Sequence, residues 1–124
     1  TVHGEARGES MAGMIAVAWV IRNRAEKGGW WGGTLEGVCK HPFQFSCWNP
    51  DDPNSQIIKD LPVSFHAYRD AVWAVMQAVM EKDARADPTH GATHYHTGEV
   101  EPKWAKGLAP CAVIGNHRFY NNIP

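Results

Sequence analysis

The sequence predicts an α+β fold, mostly helical, with a small antiparallel sheet in its C-terminal third. Two long stretches carry apolar residues at three- and four-residue spacing, Ser10 to about Lys27 and Ser64 to about Ala86. Beyond Gly91 the pattern changes to short apolar runs, the last two separated by Gly115 and Asn116, a favourable two-residue hairpin turn. The 124 residues predict one domain, 1–124, large enough to bury about two-thirds of its unfolded surface. A formal charge of −1 supplies no basic field for nucleic acid and no acidic tail. No apolar run approaches the roughly 20 residues of a membrane span, and no signal peptide is recognisable, so a soluble domain is expected.

The first long helix is expected to open at Ser10 and to end at Gly28 and Gly29, with Met11, Met14, Ile15, Ala18 and Ile21 or Arg22 on a core-facing stripe. A loop with Trp30, Trp31, Gly32 and Gly33 follows, and Thr34 can cap a short turn from Leu35 to Val38. Cys39 to Asn54 holds three prolines and an Asp/Asn cluster, which predicts a structured loop. Ser55 to Leu61 reads as a short helix stopped by Pro62. The second long helix should bury Phe65, Val72, Val75, Met76, Val79 and Met80. A turn at Asp87, Pro88 and Gly91 then leads into strands Ala92–Thr97, Ala112–Ile114 and His117–Tyr120.

The segment most suggestive of chemistry is GEARGES, Gly4 to Ser10, which sets Glu5 and Glu9 four residues apart ahead of the first long helix. A carboxyl at a helix junction beside a cleft can serve as a proton donor. Glu9 with Ser10 equally suits a plain helix start, by charge and by capping. That alternative leaves Glu5 and the glycines, expected to loosen the local backbone, without a role. Six tryptophans are many for this length, and rings in loops such as Trp30, Trp31, Trp48 and Trp104 can pack on sugar faces or plug the core. Cys39, Cys47 and Cys111 allow one bridge, most simply Cys39 to Cys47, or three free thiols. His94, His96, His117 and Cys111 invite a zinc reading, but no CxxC or HExxH spacing supports it. No metal or other cofactor is expected.

The order GEARGES, AGMIAVAWVIRNR, QFSCW, DPTHGATHYH, Trp104, IGNHRFY resembles the cell-wall hydrolase family typified by the spore-cortex-lytic enzyme SleB and its relative CwlJ. The resemblance covers nearly the whole chain. It implies a lysozyme- or lytic-transglycosylase-like fold and cleavage of the peptidoglycan glycan strand, in the periplasm or outside the cell. It also implies that Glu5, matching the first glutamate of the family's EARGE motif, is the catalytic acid, with Glu9 in support. The chain departs from the pattern in three places. The helix expected to precede and position Glu5 is missing or shortened, since only Thr1 to Gly4 come before it, THYH stands where spore enzymes tend to carry aromatic residues, and N-terminal peptidoglycan-binding repeats are lacking. The compact form is similar to single-domain enzymes of phages and proteobacteria, implying a lysis or wall-remodelling role, as a monomer.

Breaking a glycosidic bond needs an acid for the leaving oxygen and a group that stabilises or traps the oxocarbenium-like centre. Glu5 and Glu9, on one short segment, can hardly flank the bond from both sides. A single acid suffices if the C6 hydroxyl of N-acetylmuramic acid attacks C1, the lytic transglycosylase route that the resemblance implies; a hydrolytic muramidase is the close alternative. A zinc amidase or peptidase and a wall-binding module without catalysis are the more distant ones. Gln44, Ser46, His96 and Trp104 are candidate sugar-binding residues. Tyr95 and His96 lie on opposite faces of one strand, so one of them should face the cleft. Tyr95 is the candidate for assisting at the reacting sugar, while His117 and Phe119 share a face that can line the core.

Overall fold

A computed structural model describes residues 1–42, 44–60 and 65–123, without the side chains at 30, 54 and 65–67. Five α-helices are described: α1 Val2–Ala6, α2 Met11–Lys27, α3 Leu35–Lys40, α4 Pro53–Asp60 and α5 Phe65–Val79. Strands β1 His94–Thr97, β2 Ala112–Ile114 and β3 His117–Tyr120 form one antiparallel sheet in the order β1-β3-β2. The α+β architecture expected from the sequence is thus the one observed.

Helix α2 is the centre of the molecule. It starts where the Ser10 hydroxyl accepts from the Gly13 amide at 3.3 Å, and it ends at Gly28, whose φ of +67° suits glycine. Its buried surface is wider than the single stripe expected. Gly13, Met14, Ala16 to Ile21 and Arg24 are all buried, because α2 is covered on two sides. Met14, Val17, Ala18 and Ile21 belong to the main core with Ala71, Ala74 and Ala78 of α5. Ala16 and Val20 join Ala92 and Phe119 on the side of the sheet.

The buried face of α5 therefore differs from the one its bulky residues suggested. Ala71, Ala74 and Ala78 are inside, Val75 is partly buried, and Met76, Val79 and Met80 are exposed. Small side chains let two helix backbones approach closely, and at this contact closeness prevails over bulk. The helix also stops at Val79 rather than near Ala86. Arg22 donates to the carbonyls of Ala78 and Glu81 at 2.7 Å each, and Asp83 accepts from the Arg85 amide in a separate 3-10 turn, Ala84–Ala86. Helix α4 begins at Pro53, inside the stretch expected to be loop. The Ser64 cap, the Leu61 and Pro62 stop, and the Phe65 and Trp30 side chains lie outside the described residues.

Three consecutive side chains of α2 bind its neighbours. Arg22 holds the end of α5, as above. Asn23 donates to Asp87 at 2.8 Å and to the Ala92 carbonyl at 3.0 Å, and Arg24 donates to the Thr93 carbonyl at 2.7 Å. Asp87 in turn accepts from the Thr89 amide and hydroxyl and the Gly91 amide, closing the turn before β1. The two residues leading into β1 are thereby fixed against α2.

Gly4 owes its place to packing rather than to a loosened backbone. A Cβ there would collide with Ile58 Cδ1 and would stand 2.8 Å from Cys47 Cβ and 3.0 Å from its Sγ. Helix α1 thus lies directly on the Cys47 turn and α4. Gly4→Ala should destabilise the fold by about 1–3 kcal/mol, as overpacking of a filled site does. Thermal unfolding followed by circular dichroism checks this, and an unchanged melting temperature would contradict the packing assigned to α1.

Candidate active site

Helix α1 delivers Glu5 to the junction between the helical body and the sheet. Its Oε1 accepts from the Cys47 amide at 3.1 Å, and its Oε2 accepts from the Tyr95 hydroxyl at 2.9 Å. Each donor has its own structural cause. The Cys47 amide lies in the 3-10 turn Ser46–Trp48, whose Trp48 indole donates to the Thr1 hydroxyl at 2.7 Å and so ties the turn to the start of α1. Tyr95 is paired with Phe119 across β1 and β3, on the sheet face that meets α2. Two donors, one on each oxygen, fix the plane of the carboxyl, and lone pairs remain for a further partner.

The surroundings of this carboxyl are held neutral. Burial first, and then the charge of Glu5, keep the Tyr95 phenol well above its ordinary pKa of 10.0, so it remains a donor at neutral pH. The same causes push the Cys47 thiol up to about 12, which leaves it a poor nucleophile. Arg24, 5% exposed, is the charge nearest in kind to a counter-ion. Burial lowers its pKa, while Tyr95, Glu5 and Cys39 act in the opposite direction. Its guanidinium lies over the Phe45 ring at 4.9 Å and the Trp31 ring at 5.5 Å.

Glu9 does not cap α2, a role taken by Ser10. Its carboxylate reaches the β2–β3 turn instead. There it accepts from the Asn116 amide at 3.4 Å and stands 3.9 Å from His117 Nδ1. Glycines flank it on both sides. A Cβ on Gly115, at φ +58°, would come within 2.8 Å of Glu9 Oε2, and one on Gly13 within 3.0 Å of Glu9 Cβ. His117 is 3% exposed, and its pKa is lowered by burial, with Glu9 and Glu5 opposing the shift. Its ring meets Tyr95 edge-on at 5.0 Å. Glu5, Tyr95, His117 and Glu9 therefore run in unbroken succession through the site.

His96 and Trp104 lie on the other face of β1. His96 Nε2 is 2.9 Å from the Tyr120 hydroxyl, and its ring stacks on Tyr120 at 5.4 Å. Trp104 packs edge-on against His94, His96 and Tyr120, leaving 36% of its surface exposed. Gln44 is half-buried and Ser46 exposed, on the loop leading into the Cys47 turn. The structure thus brings Glu5 together with Tyr95 and sets His96 and Trp104 apart from them. Trp31, expected in a loop, is core at 3% exposure.

The zinc donors do not converge. His94 and His96 share one sheet face, and His117 is paired with Thr97 on the opposite face. Among the described residues no group of three His, Cys, Asp or Glu side chains could hold a metal ion. The three cysteines are free, so the Cys39 to Cys47 bridge is not formed. Cys111 Sγ donates to the Thr89 carbonyl at 3.1 Å. Two contributors escaped sequence reasoning. Arg24 could have been noticed as a cation inside a buried run, whereas the Cys47 amide carries no sequence signal.

A helical body with a three-stranded sheet and one carboxyl clasped between them defines a lysozyme-like catalytic fold. The chain belongs to the cell wall hydrolase family, whose sequence pattern matches residues 8–120. The matched span takes in Glu9 and begins just past Glu5. The chain is similar to the catalytic domain of the Bacillus cereus SleB protein, at 29% identity, over 96% of this chain and 82% of that one, with a TM-score of 0.73. It is also similar to the catalytic domain of the germination-specific lytic transglycosylase SleB from Bacillus anthracis, at 30% identity, over 96% and 86%, with a TM-score of 0.71. No curated protein matches it. Among the described residues no helix is long and apolar enough to cross a membrane.

Two outcomes follow from this geometry. On the reading of Glu5 as the catalytic acid, Tyr95→Phe, which removes the donor to its Oε2, should lower turnover of peptidoglycan about ten- to a hundredfold with little change in KM, the scale of a hydrogen bond to a charged group. Wild-type turnover would show the contact to be idle. The second outcome concerns acid stability. Burial, then the charges of Arg24 and Lys27, lower His94 from 6.5 to about 4. Between those values the unfolded chain binds a proton that the folded chain refuses, so stability should fall as pH drops from about 6.5 toward 4. Melting temperatures across that range should decline less steeply for His94→Gln, and parallel declines would contradict the assignment.

Proposed function

We propose that this chain is a peptidoglycan-cleaving enzyme, a lytic transglycosylase in which Glu5 is the general acid and then the general base. The observation that carries the reading is the single carboxyl held from both sides, by the Tyr95 hydroxyl and the Cys47 amide. Family membership and the likeness to SleB catalytic domains support wall glycan as the substrate. The reading takes residues 1–124 as one catalytic domain working as a monomer at the cell wall, in the periplasm or outside the cell.

Protonated Glu5 gives its proton to the oxygen linking N-acetylmuramic acid to N-acetylglucosamine, and the C1–O bond breaks. The C6 hydroxyl of the same muramic acid attacks C1 and returns its proton to Glu5. No water enters, and the product ends in a 1,6-anhydro sugar. The C6 hydroxyl is tethered to the ring it attacks, which supplies the advantage of proximity without a second carboxylate. Tyr95 acts as a positioning residue through its bond to Glu5. Glu9 supports the junction through Asn116 and His117. Gln44 and Ser46 beside the Cys47 turn are sugar contacts in this reading, whereas His96 and Trp104, on the far sheet face, would meet only sugars remote from the reacting bond, rings stacking on apolar sugar faces.

Digestion of peptidoglycan followed by mass analysis tests the proposal. The expected fragments end in 1,6-anhydromuramic acid, one water lighter than muramidase products, and Glu5→Gln should lower their rate by about 100-fold or more in a protein that remains folded. Reducing muramic acid ends would leave a Glu5-dependent muramidase. New amino groups without glycan cleavage would overturn the glycosidase reading altogether.

A further inference from the structure

At the turn end of the sheet lies a cavity of about 420 Å³, lined by Glu9, Thr97, Gly98, Glu99, Val113, Gly115, Asn116 and Arg118. That volume falls within the roughly 300–1,000 Å³ of small-molecule sites. Its floor is built tightly. The Gly98 amide donates to the Asn116 carbonyl at 2.9 Å, and Gly115 leaves room for the Glu9 carboxylate. Its charges are unspent. Among the described residues Arg118 forms no ion pair or hydrogen bond through its guanidinium, which lies 3.8 Å from where a Gly98 side chain would begin. Glu99 is likewise unpaired among them. Glu9, its side chain 13% exposed, has only a 3.4 Å bond from Asn116 and a His117 whose pKa burial lowers.

We infer that this cavity binds the stem peptide of peptidoglycan, through an amino-acid group bearing a free ammonium beside a free carboxylate. The inference rests on the reading above. A guanidinium and two carboxylates lining one cavity match such a zwitterion better than they match an anion or a cation alone. Arg118 can take the carboxylate in a two-pronged bond, while Glu9 and Glu99 take the ammonium. The uncrosslinked diamino acid of the stem carries that pair of groups. Position agrees with chemistry. The stem peptide hangs from the muramic acid whose C1 reacts, and the cavity neighbours Glu5: Glu9 in its lining is linked to Glu5 by the buried side chains of Tyr95 and His117, at 2.9 Å, then 5.0 Å between rings, then 3.9 Å.

The test uses the free tripeptide L-alanyl-γ-D-glutamyl-meso-diaminopimelate, which contains no glycosidic bond, titrated into the protein and followed by calorimetry and amide chemical shifts. Saturable binding is expected, with shifts at Gly98, Gly115 and Asn116. Arg118→Ala, or amidation of the distal carboxylate, should weaken it at least about tenfold, and Arg118→Lys should recover part of the loss. Absence of saturable binding, or binding indifferent to both changes, would overturn the inference. A protein that binds the tripeptide but cleaves no glycan would instead overturn the proposed function alone.

Discussion

The site depends on the way one central helix grips the backbone around it. Buried on nearly all sides, α2 has little freedom to present polar groups, yet Arg22, Asn23 and Arg24 in succession bind the end of α5, the Asp87 turn and the start of β1. Buried backbone carbonyls demand partners, and these side chains supply them where no regular ladder reaches. Fixing Thr93 fixes Tyr95 two residues on. The small contact face of α5 belongs to the same solution, because Ala71, Ala74 and Ala78 let that helix come close enough for Arg22 to reach its last carbonyls.

The second constraint is electrostatic. Glu5 is surrounded by groups that burial keeps neutral: a phenol that stays protonated, a thiol that stays a thiol, and a histidine shifted downward. Neutral donors orient a carboxyl without forming a short ion pair, which suits the proton transfers proposed for Glu5. Arg24 is close enough to influence the site and is committed to Thr93 and to aromatic faces. Glu9, only four residues from Glu5, is turned toward the β2–β3 turn instead. Two carboxylates from one heptapeptide thus serve different parts of the site, separated by the turn of backbone between α1 and α2.

Much of the fold was legible where local chemistry marks it. Ser10 and Gly28 bound α2, Thr34 caps α3 through the Gly37 amide, and Gly115 and Asn116 join β2 to β3. The end and the buried face of α5 were not. Apolar periodicity favours the bulky residues, and the close helix contact that selects alanine is a tertiary fact. At the site, strand alternation separates Tyr95 from His96, but which of them shares a face with Phe119 is set by the β1–β3 register, which local patterning does not carry. The meeting of Tyr95 with Glu5 spans 90 residues and left no sequence signal: the resemblance pointed to Glu5 and the strand pattern to Tyr95, each separately. Cys47 drew notice for its thiol, but what it brings is a backbone amide, which every residue but proline possesses.

The central claim is that Glu5 and Tyr95 act as one unit, and a double-mutant cycle on folding stability measures this directly. Glu5→Ala, Tyr95→Phe and the double variant would be unfolded in denaturant beside the parent. Their coupling is predicted at about 1.5–3 kcal/mol, the scale of a hydrogen bond to a charged acceptor, with the double variant losing less than the sum of the singles. Losses that simply add would mean that the two side chains do not interact, contradicting the arrangement on which the site is built.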